Sequence, residues 1–144
     1  MVESKQDMIT INNIDANALE QFINYSYNGN ITITNENVES LLIAANFFDL
    51  QTIKSACSDF IKKRLSVNDA FCIRQFAEQF MCRDLISSVN RFINKHFSKI
   101  CQTDEFLNLT YSDLFDLLSR DQLSVQCEET VRDFLHKVFR QFLY

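Results

Sequence analysis

Apolar residues recur at helical spacing along most of the chain, so the pattern predicts about seven helices. The second run keeps the i, i+3, i+4, i+7 spacing of an amphipathic helix. In chain order, the positions predicted to face inward in the first three helices are Leu19, Phe22, Ile23, Ser26 and Tyr27, then Val38, Leu41, Leu42 and Ala45, then Ile53, Ala56, Cys57, Phe60, Ile61 and Leu65.

Two short segments have the alternation expected of strands, and polar residues mark the ends of the helices near them. Residues 8–11 and Ile31–Ile33 predict a short strand pair. Asp15 is predicted to cap the first helix, and Gly29 to end it in the left-handed conformation. Thr34 or Asn35 is expected to cap the second helix, and a turn near Asp49 follows it.

The second half of the chain reads as further helices joined by short polar links. Ser66 with Asp69 resembles a capping box before a helix over residues 67–80 that buries Ala70, Ile73, Ala77 and Phe80. The next helix, from about Asp84 to Phe97, places Leu85, Val89, Phe92 and Ile93 inward. Thr103 starts a single turn, Thr110 caps a helix with Leu114, Leu117 and Leu118, and the last helix begins near Glu128 and Glu129 and buries Val131, Leu135, Val138, Phe139 and Phe142. The helices suit antiparallel hairpins, without a strict repeat period.

Composition supports this fold and narrows the function. The chain has one Gly and no Pro among 144 residues, which argues against an all-β fold. Its net charge of -5 disfavours a nucleic-acid partner. Residues 66–100 are the exception, with three acidic and five basic side chains. This basic middle is either an ordinary solvated face or a surface for an acidic partner.

The sequence offers little catalytic or metal-binding chemistry. Its two histidines, His96 and His136, have no local metal spacing, and the five cysteines form no C-x-x-C pair. Cys57 or Cys82 is either a redox sensor beside Lys54 or Arg83, or a packed thiol. We therefore expect no enzyme activity, cofactor or metal. No apolar run approaches the roughly 18 residues of a membrane span, and the polar, acidic N-terminus predicts a location in the cytosol or the nucleus.

An aromatic cluster at a helix end is the candidate binding feature. Phe47, Phe48 and Leu50 surround Asp49, and such residues either anchor an interface or seal a core.

Several motifs, taken in order, resemble the Kelch-like BTB–BACK family. The segment Asn37–Gln51, N-V-E-S-L-L-I-A-A-N-F-F-D-L-Q, resembles a late BTB helix and turn. Tyr25–Gly29, Y-S-Y-N-G, is similar to F-x-Y-T-G, and Ala56–Phe60, A-C-S-D-F, to A-C-x-x-F. In the BACK region, Ile73–Ala77 matches I-R-x-F-A, while Phe106–Leu109 and Leu123–Val131 resemble two later landmarks.

The resemblance implies a mainly α fold in two parts. Residues 1–65 would be the C-terminal part of a BTB/POZ domain, with the short strand pair plus helices, and residues 66–144 a 3-box and partial BACK domain of antiparallel helical hairpins. The family implies BTB homo- or heterodimers and a non-catalytic adaptor that holds the cullin-3 scaffold of a ubiquitin ligase. Met1, Val2 and Glu3 fall where the family has a hydrophobic-x-Glu cullin motif. The predicted cullin-binding residues are Met1, Glu3, Phe47, Phe48, Asp49 and Leu50.

The chain departs from the family pattern in ways that open an alternative. The first half of the BTB domain and the Kelch repeats are absent, and Arg132–Tyr144 lacks the tryptophan usual there. We therefore expect a truncated adaptor with apolar residues such as Leu41, Leu42 and Phe60 exposed, and residues 1–65 less stable than residues 66–131. The alternative is a non-ligase interaction fragment that pairs with, or interferes with, full-length BTB–Kelch relatives.

Overall fold

The computed structural model describes residues 11–119, together with Glu129, residues 131–133, Leu135, His136 and Arg140. It divides into two compact units, Met1–Phe60 and Ile61–Tyr144. Helices account for the regular structure of residues 11–119, which confirms the mainly α fold class. Their bounds are α1 (Ala16–Asn28), α2 (Val38–Phe47), α3 (Gln51–Lys62), α4 (Ala70–Gln79), α5 (Arg83–Ile100), α6 (Asp104–Leu107) and α7 (Tyr111–Leu118).

Helix α1 begins and ends where its polar residues predict, but it buries a different face. The Asp15 carboxylate accepts the Ala18 N–H at 3.2 Å, and Gly29 closes the helix with φ of 69°. The buried stripe is narrow, Ala18 and Phe22. The prediction that Ile23, Ser26 and Tyr27 face inward was wrong, because α1 packs through one column of side chains and leaves the adjacent column to solvent.

The predicted strand at Ile31–Ile33 is irregular backbone in the structure. The Asn37 side chain takes the hydrogen bonds there, accepting from the Thr34 N–H at 2.8 Å and donating to the Thr32 carbonyl at 2.8 Å. In a sheet, a neighbouring strand would hydrogen-bond these backbone groups. Here the Asn37 side chain does so instead. The other predicted strand, residues 8–11, lies outside the described residues except for Ile11, which is also irregular.

Helix α2 starts later than predicted, and half of its residues are buried. Its N-cap is Asn37 rather than Thr34 or Asn35, although the Thr34 carbonyl already accepts the Val38 N–H at 3.0 Å. Leu41 and Leu42 have no exposed surface. The expectation that these two leucines would be exposed was therefore wrong; α2 packs on α1 within the first unit.

In α3 the buried column is Ile53, Cys57 and Ile61, together with Ser58. Ser58 donates to the Lys54 carbonyl at 2.9 Å, which satisfies its hydroxyl inside the helix. Phe60 and Leu65 are half-buried, and Ala56 is exposed, contrary to its predicted inward position.

The second unit is built on an aromatic core shared by three helices. The Phe106 ring lies 5.8 Å from Phe71 of α4 and 6.0 Å from Phe97 of α5, measured between centroids. The Thr103 hydroxyl accepts the Phe106 N–H and so starts α6 where the sequence predicts. Thr110 caps α7 in the same way, through the Asp113 N–H at 3.2 Å.

The buried positions of α4 and α5 correct the predicted pattern in part. Ala70, Ala77, Leu85, Val89 and Ile93 are buried as predicted, whereas Ile73, Phe80 and Phe92 are half-buried. Phe71 and Arg74 are buried instead; the Arg74 guanidinium forms an ion pair with Glu78 at 2.8 Å. The prediction of buried positions used only the spacing of apolar residues. It could therefore not identify the charged Arg74 as buried.

The structure describes only some residues of the predicted last helix. Val131 is buried and Leu135 half-buried, both with helical backbone, whereas Glu128, Val138, Phe139, Phe142 and the side chains of Leu117 and Leu118 lie outside the described residues.

Two of the helical hairpins repeat one another at a fixed offset. Val38, the first residue of α2, corresponds to Ala70 of α4, and Gln51 of α3 corresponds to Arg83 of α5, an offset of 32 residues in both cases. Before each hairpin, a Ser or Thr N–H donates to a side chain three residues later: Thr34 to Asn37 and Ser66 to Asp69. The sequence shows no strict period because the equivalent side chains differ.

The turn inside each hairpin has the same hydrogen bonds. In the first, the Leu50 N–H donates to the Ala45 carbonyl at 2.8 Å and the Asp49 N–H to the Asn46 carbonyl at 3.4 Å. In the second, the equivalent bonds join Cys82 to Ala77 at 2.9 Å and Met81 to Glu78 at 3.1 Å. Both turns are Schellman motifs, whose left-handed residue is usually glycine. Here it is Asp49, with φ of 55°, and Met81, with φ of 54°.

Replacement of Met81 tests whether this turn is strained. A left-handed residue with a side chain costs about 1–2 kcal/mol. Met81→Gly is therefore expected to raise the free energy of unfolding by about 0.5–1 kcal/mol, after allowance for the greater freedom of glycine in the unfolded chain. Urea denaturation measures the change. Ser87→Gly, at an exposed position inside α5, is the control and should lower the free energy of unfolding by about 0.5 kcal/mol. Destabilisation of similar size in both variants would contradict the assignment.

Candidate protein-interaction surface

The turn between α2 and α3 sets the direction of two phenylalanine side chains. Phe47 is the last residue of α2, and Phe48 is its C-cap. Because Asp49 takes the left-handed conformation, the chain reverses within a few residues and α3 begins at Gln51. The helix end thus holds two adjacent aromatic rings on a short, hydrogen-bonded turn.

These two rings connect the core to the surface. The Phe48 ring packs edge to face on Phe22 of α1, with centroids 6.2 Å apart, and on Phe47 at 5.2 Å. Exposure rises along this series, from 5% for Phe22 to 37% for Phe48 and 63% for Phe47. Phe47 contacts Phe48, and Phe48 in turn contacts the buried Phe22, so the exposed ring is linked to the core and keeps its position at little entropic cost. That is the property of an interface anchor.

Polar contacts hold the turn on its other side. The Lys54 ammonium donates to the Asn46 side-chain oxygen at 2.7 Å and so ties α3 to the end of α2. The Gln51 amide donates to the Asp49 carboxylate at 2.6 Å. Both bonds lie within one turn of the aromatic pair and restrict its backbone.

The structure brings together four of the six predicted binding residues. Phe47, Phe48 and Asp49 are exposed, whereas Leu50 is half-buried behind the turn. Met1 and Glu3 lie outside the described residues. We refer to Phe47, Phe48 and Asp49 as the turn surface.

Sequence reasoning missed a second exposed apolar surface on α1. Ile23 and Tyr27 are 52% and 85% exposed, one helical turn apart. Their spacing places them on one side of α1, but apolar spacing alone does not tell an inward column from an outward one. No signal in the sequence separates the two.

Apart from these exposed apolar surfaces, the described residues offer few groups suited to catalysis or metal binding. They contain no group of His, Cys, Asp and Glu suited to a metal ion, and none of their helices is both long and apolar enough to cross a membrane. The His96 ring stacks on Phe92, with centroids 4.6 Å apart, at a kink in α5, and His136 is exposed. Cys57 and Cys82 are buried, which favours the packed-thiol interpretation.

Cys72 is the exposed thiol of the described region, and a carboxylate controls its chemistry. Glu105 of α6 accepts the Cys72 backbone N–H at 2.8 Å, in the first turn of α4. The same carboxylate hydrogen-bonds the thiol; with burial and the negative charges of Glu105 and Asp69, this raises the pKa of Cys72 to about 11. At neutral pH only roughly one thiol in ten thousand is therefore the reactive thiolate. This arrangement stabilises the start of α4 and does not make a nucleophile.

Comparison with known proteins places both units in one family. The BTB/POZ domain model matches residues 1–65, and the model for BACK, the "BTB And C-terminal Kelch" domain, matches residues 70–141. The chain is similar to Kelch-like protein 28 of Homo sapiens, at 36% identity over 129 residues, and to Kelch-like protein 7 of Rattus norvegicus, at 35% over 133 residues. This chain belongs to the Kelch-like BTB–BACK family.

The Kelch-like relatives are much longer than this chain. The matched segment covers 90% and 92% of this chain, respectively, and 23% of each relative. The turn surface lies in the BTB match, and the contact between Cys72 and Glu105 lies in the BACK match.

The effect of Glu105 on the BACK thiol is open to direct measurement. Glu105→Gln removes the negative charge, so the pKa of Cys72 should fall from about 11 towards 9.0. Alkylation of Cys72 by iodoacetamide at pH 8, followed by mass spectrometry of the Cys72 peptide, should become about tenfold faster.

Asp104→Asn is the matched control, because it removes a neighbouring carboxylate that does not contact the thiol. Equal alkylation rates in the Glu105 and Asp104 variants would show that Glu105 does not control Cys72.

Proposed function

We propose that the chain is a non-catalytic protein-interaction adaptor of the BTB–Kelch type, and that it binds the cullin-3 scaffold of a ubiquitin ligase. The paired BTB and BACK matches, over residues 1–65 and 70–141, carry the proposal. The proposal includes a location in the cytosol or the nucleus.

The turn surface is the proposed contact with the scaffold. Phe47 supplies an exposed aromatic ring, and Phe48 contacts both that ring and Phe22 in the core. Asp49 places a carboxylate beside them, which gives the contact polarity as well as apolar area. Aromatic anchors next to a polar rim carry most of the binding free energy in many interfaces. Met1 and Glu3 remain proposed contributors.

The second candidate function is pairing with a full-length BTB–Kelch relative. The exposed α1 residues Ile23 and Tyr27 favour it, because apolar side chains on one helix face are common at protein contacts. A chain that pairs in this way would act without a ligase, or would interfere with the relative that it binds.

Calorimetric titration with the N-terminal domain of cullin-3 tests the first function. We expect saturable binding that Phe47→Ala weakens by about tenfold, since one buried aromatic anchor contributes on the order of 1–2 kcal/mol. Phe47 contacts Phe48 at the surface and is not part of the core, so the variant should remain folded. Glu3→Lys should also weaken binding if the N-terminal motif takes part.

Tyr27→Ala is the control, because it removes an exposed aromatic ring from α1 and leaves the turn surface intact. It should bind cullin-3 as the original chain does. No binding by a folded chain, or equal losses in the Phe47 and Tyr27 variants, would refute the proposed contact. Pull-down of a full-length relative, lost in Tyr27→Ala, would then favour the pairing function.

A further inference from the structure

One face of α5 carries three positive charges that have no partner in the described part of the chain. Arg91, Lys95 and Lys99 are exposed, follow one another at intervals of four residues, and form no ion pair there; Arg91 and Lys95 precede the kink at His96, and Lys99 follows it. Asp84, the one acidic residue in the α5 sequence, precedes Arg91 by almost two helical turns. We refer to Arg91, Lys95 and Lys99 as the basic face.

The helix itself gains little from this arrangement. Like charges four residues apart on a helix repel one another, so the pair Arg91–Lys95 destabilises α5. Lys99 lies in the last turn, where the negative end of the helix dipole favours a cation. That effect falls off within one turn and does not account for Arg91 or Lys95.

The repeated hairpin supplies an internal comparison. At the offset of 32 residues that relates α3 to α5, Arg91 corresponds to Asp59 and Lys95 to Lys63. Asp59 lies in α3, and Lys63 is the first residue after the end of that helix, so the turn and the start of the second helix repeat with an acidic residue at the position of Arg91. The positive charge at Arg91 is therefore not a requirement of the hairpin turn.

The spacing of the charges matches an extended acidic peptide. Four residues of helix advance about 6 Å, and two residues of extended chain about 6.6–6.8 Å. Carboxylates at alternate positions of a strand can therefore meet Arg91 and Lys95, and Lys99 adds a third positive charge beyond the kink at His96. A nucleic acid fits less well, because the net charge of -5 opposes a polymer with a charge at every phosphate more than it opposes a short peptide.

We propose that the basic face of α5 binds an acidic, extended segment of a partner protein. This site is separate from the turn surface, and it concerns a partner other than the cullin scaffold. Long-range attraction at such a face speeds association and selects for charge, and salt screens it.

Fluorescence anisotropy of the whole chain with a labelled peptide of alternating Glu and Ser residues tests this proposal. We expect binding that weakens by about tenfold or more when the salt concentration rises from about 0.05 M to about 0.5 M. The triple variant Arg91→Gln, Lys95→Gln, Lys99→Gln should bind about tenfold more weakly, since it removes three ion pairs. Gln favours helix, so circular dichroism should be unchanged.

The control is the triple variant Lys63→Gln, Arg132→Gln, Arg140→Gln, which removes the same charge from exposed positions elsewhere. Its affinity should stay within about twofold of the original. Lys95→Gln alone should cost about two- to threefold and serves if the triple variant unfolds.

Equal affinities in the two triple variants would overturn the proposal. So would equal binding of a peptide with Gln in place of Glu. Tighter binding of a single-stranded oligonucleotide of the same net charge would also overturn the proposal, because it would identify the partner as a nucleic acid.

Discussion

The left-handed residue that closes each helical hairpin is the constraint on which the rest of the structure depends. At Asp49 and Met81 the backbone takes positive φ and ends a helix with the same pair of turn hydrogen bonds. This reversal brings α5 back along α4, while α2 packs on α1. It also places an exposed apolar side chain at each turn, Phe47 in the first and Met81 in the second. Strain of this kind persists where the surrounding structure holds it, and it is common at functional sites.

Features fixed by neighbours in sequence could be predicted, and features fixed by distant contacts could not. Asp15, Thr103 and Thr110 cap their helices as expected, because each side chain bonds a backbone N–H three residues away. The face that α1 buries depends on α2 and was predicted incorrectly. The prediction of a strand at Ile31–Ile33 was wrong for a related reason: a strand needs a partner, and the Asn37 side chain instead hydrogen-bonds the Thr32 carbonyl and the N–H of the next residue after the segment, Thr34.

The sequence identified the residues of the turn surface, but not how their side chains are arranged. The sequence left open whether Phe47 and Phe48 anchor an interface or seal a core, since periodicity at a helix end fits both. The structure divides the two roles: Phe48 contacts buried Phe22, and Phe47 is directed outward from it. The offset of 32 residues between hairpins was hidden because the repeated hydrogen bonds involve mostly backbone groups, while pairs such as Leu42 and Arg74 differ in chemistry. Partner identity came from the family resemblance alone.

The central claim is that the turn surface contacts the cullin scaffold. Nuclear magnetic resonance of the ¹⁵N-labelled chain, titrated with the unlabelled N-terminal domain of cullin-3, tests it residue by residue. The account predicts that the amide signals of Phe47, Phe48 and Asp49 shift or broaden, while those of Ile23 and Tyr27 on α1 stay in place. Unchanged signals at the turn, with changes confined to α1, would contradict it.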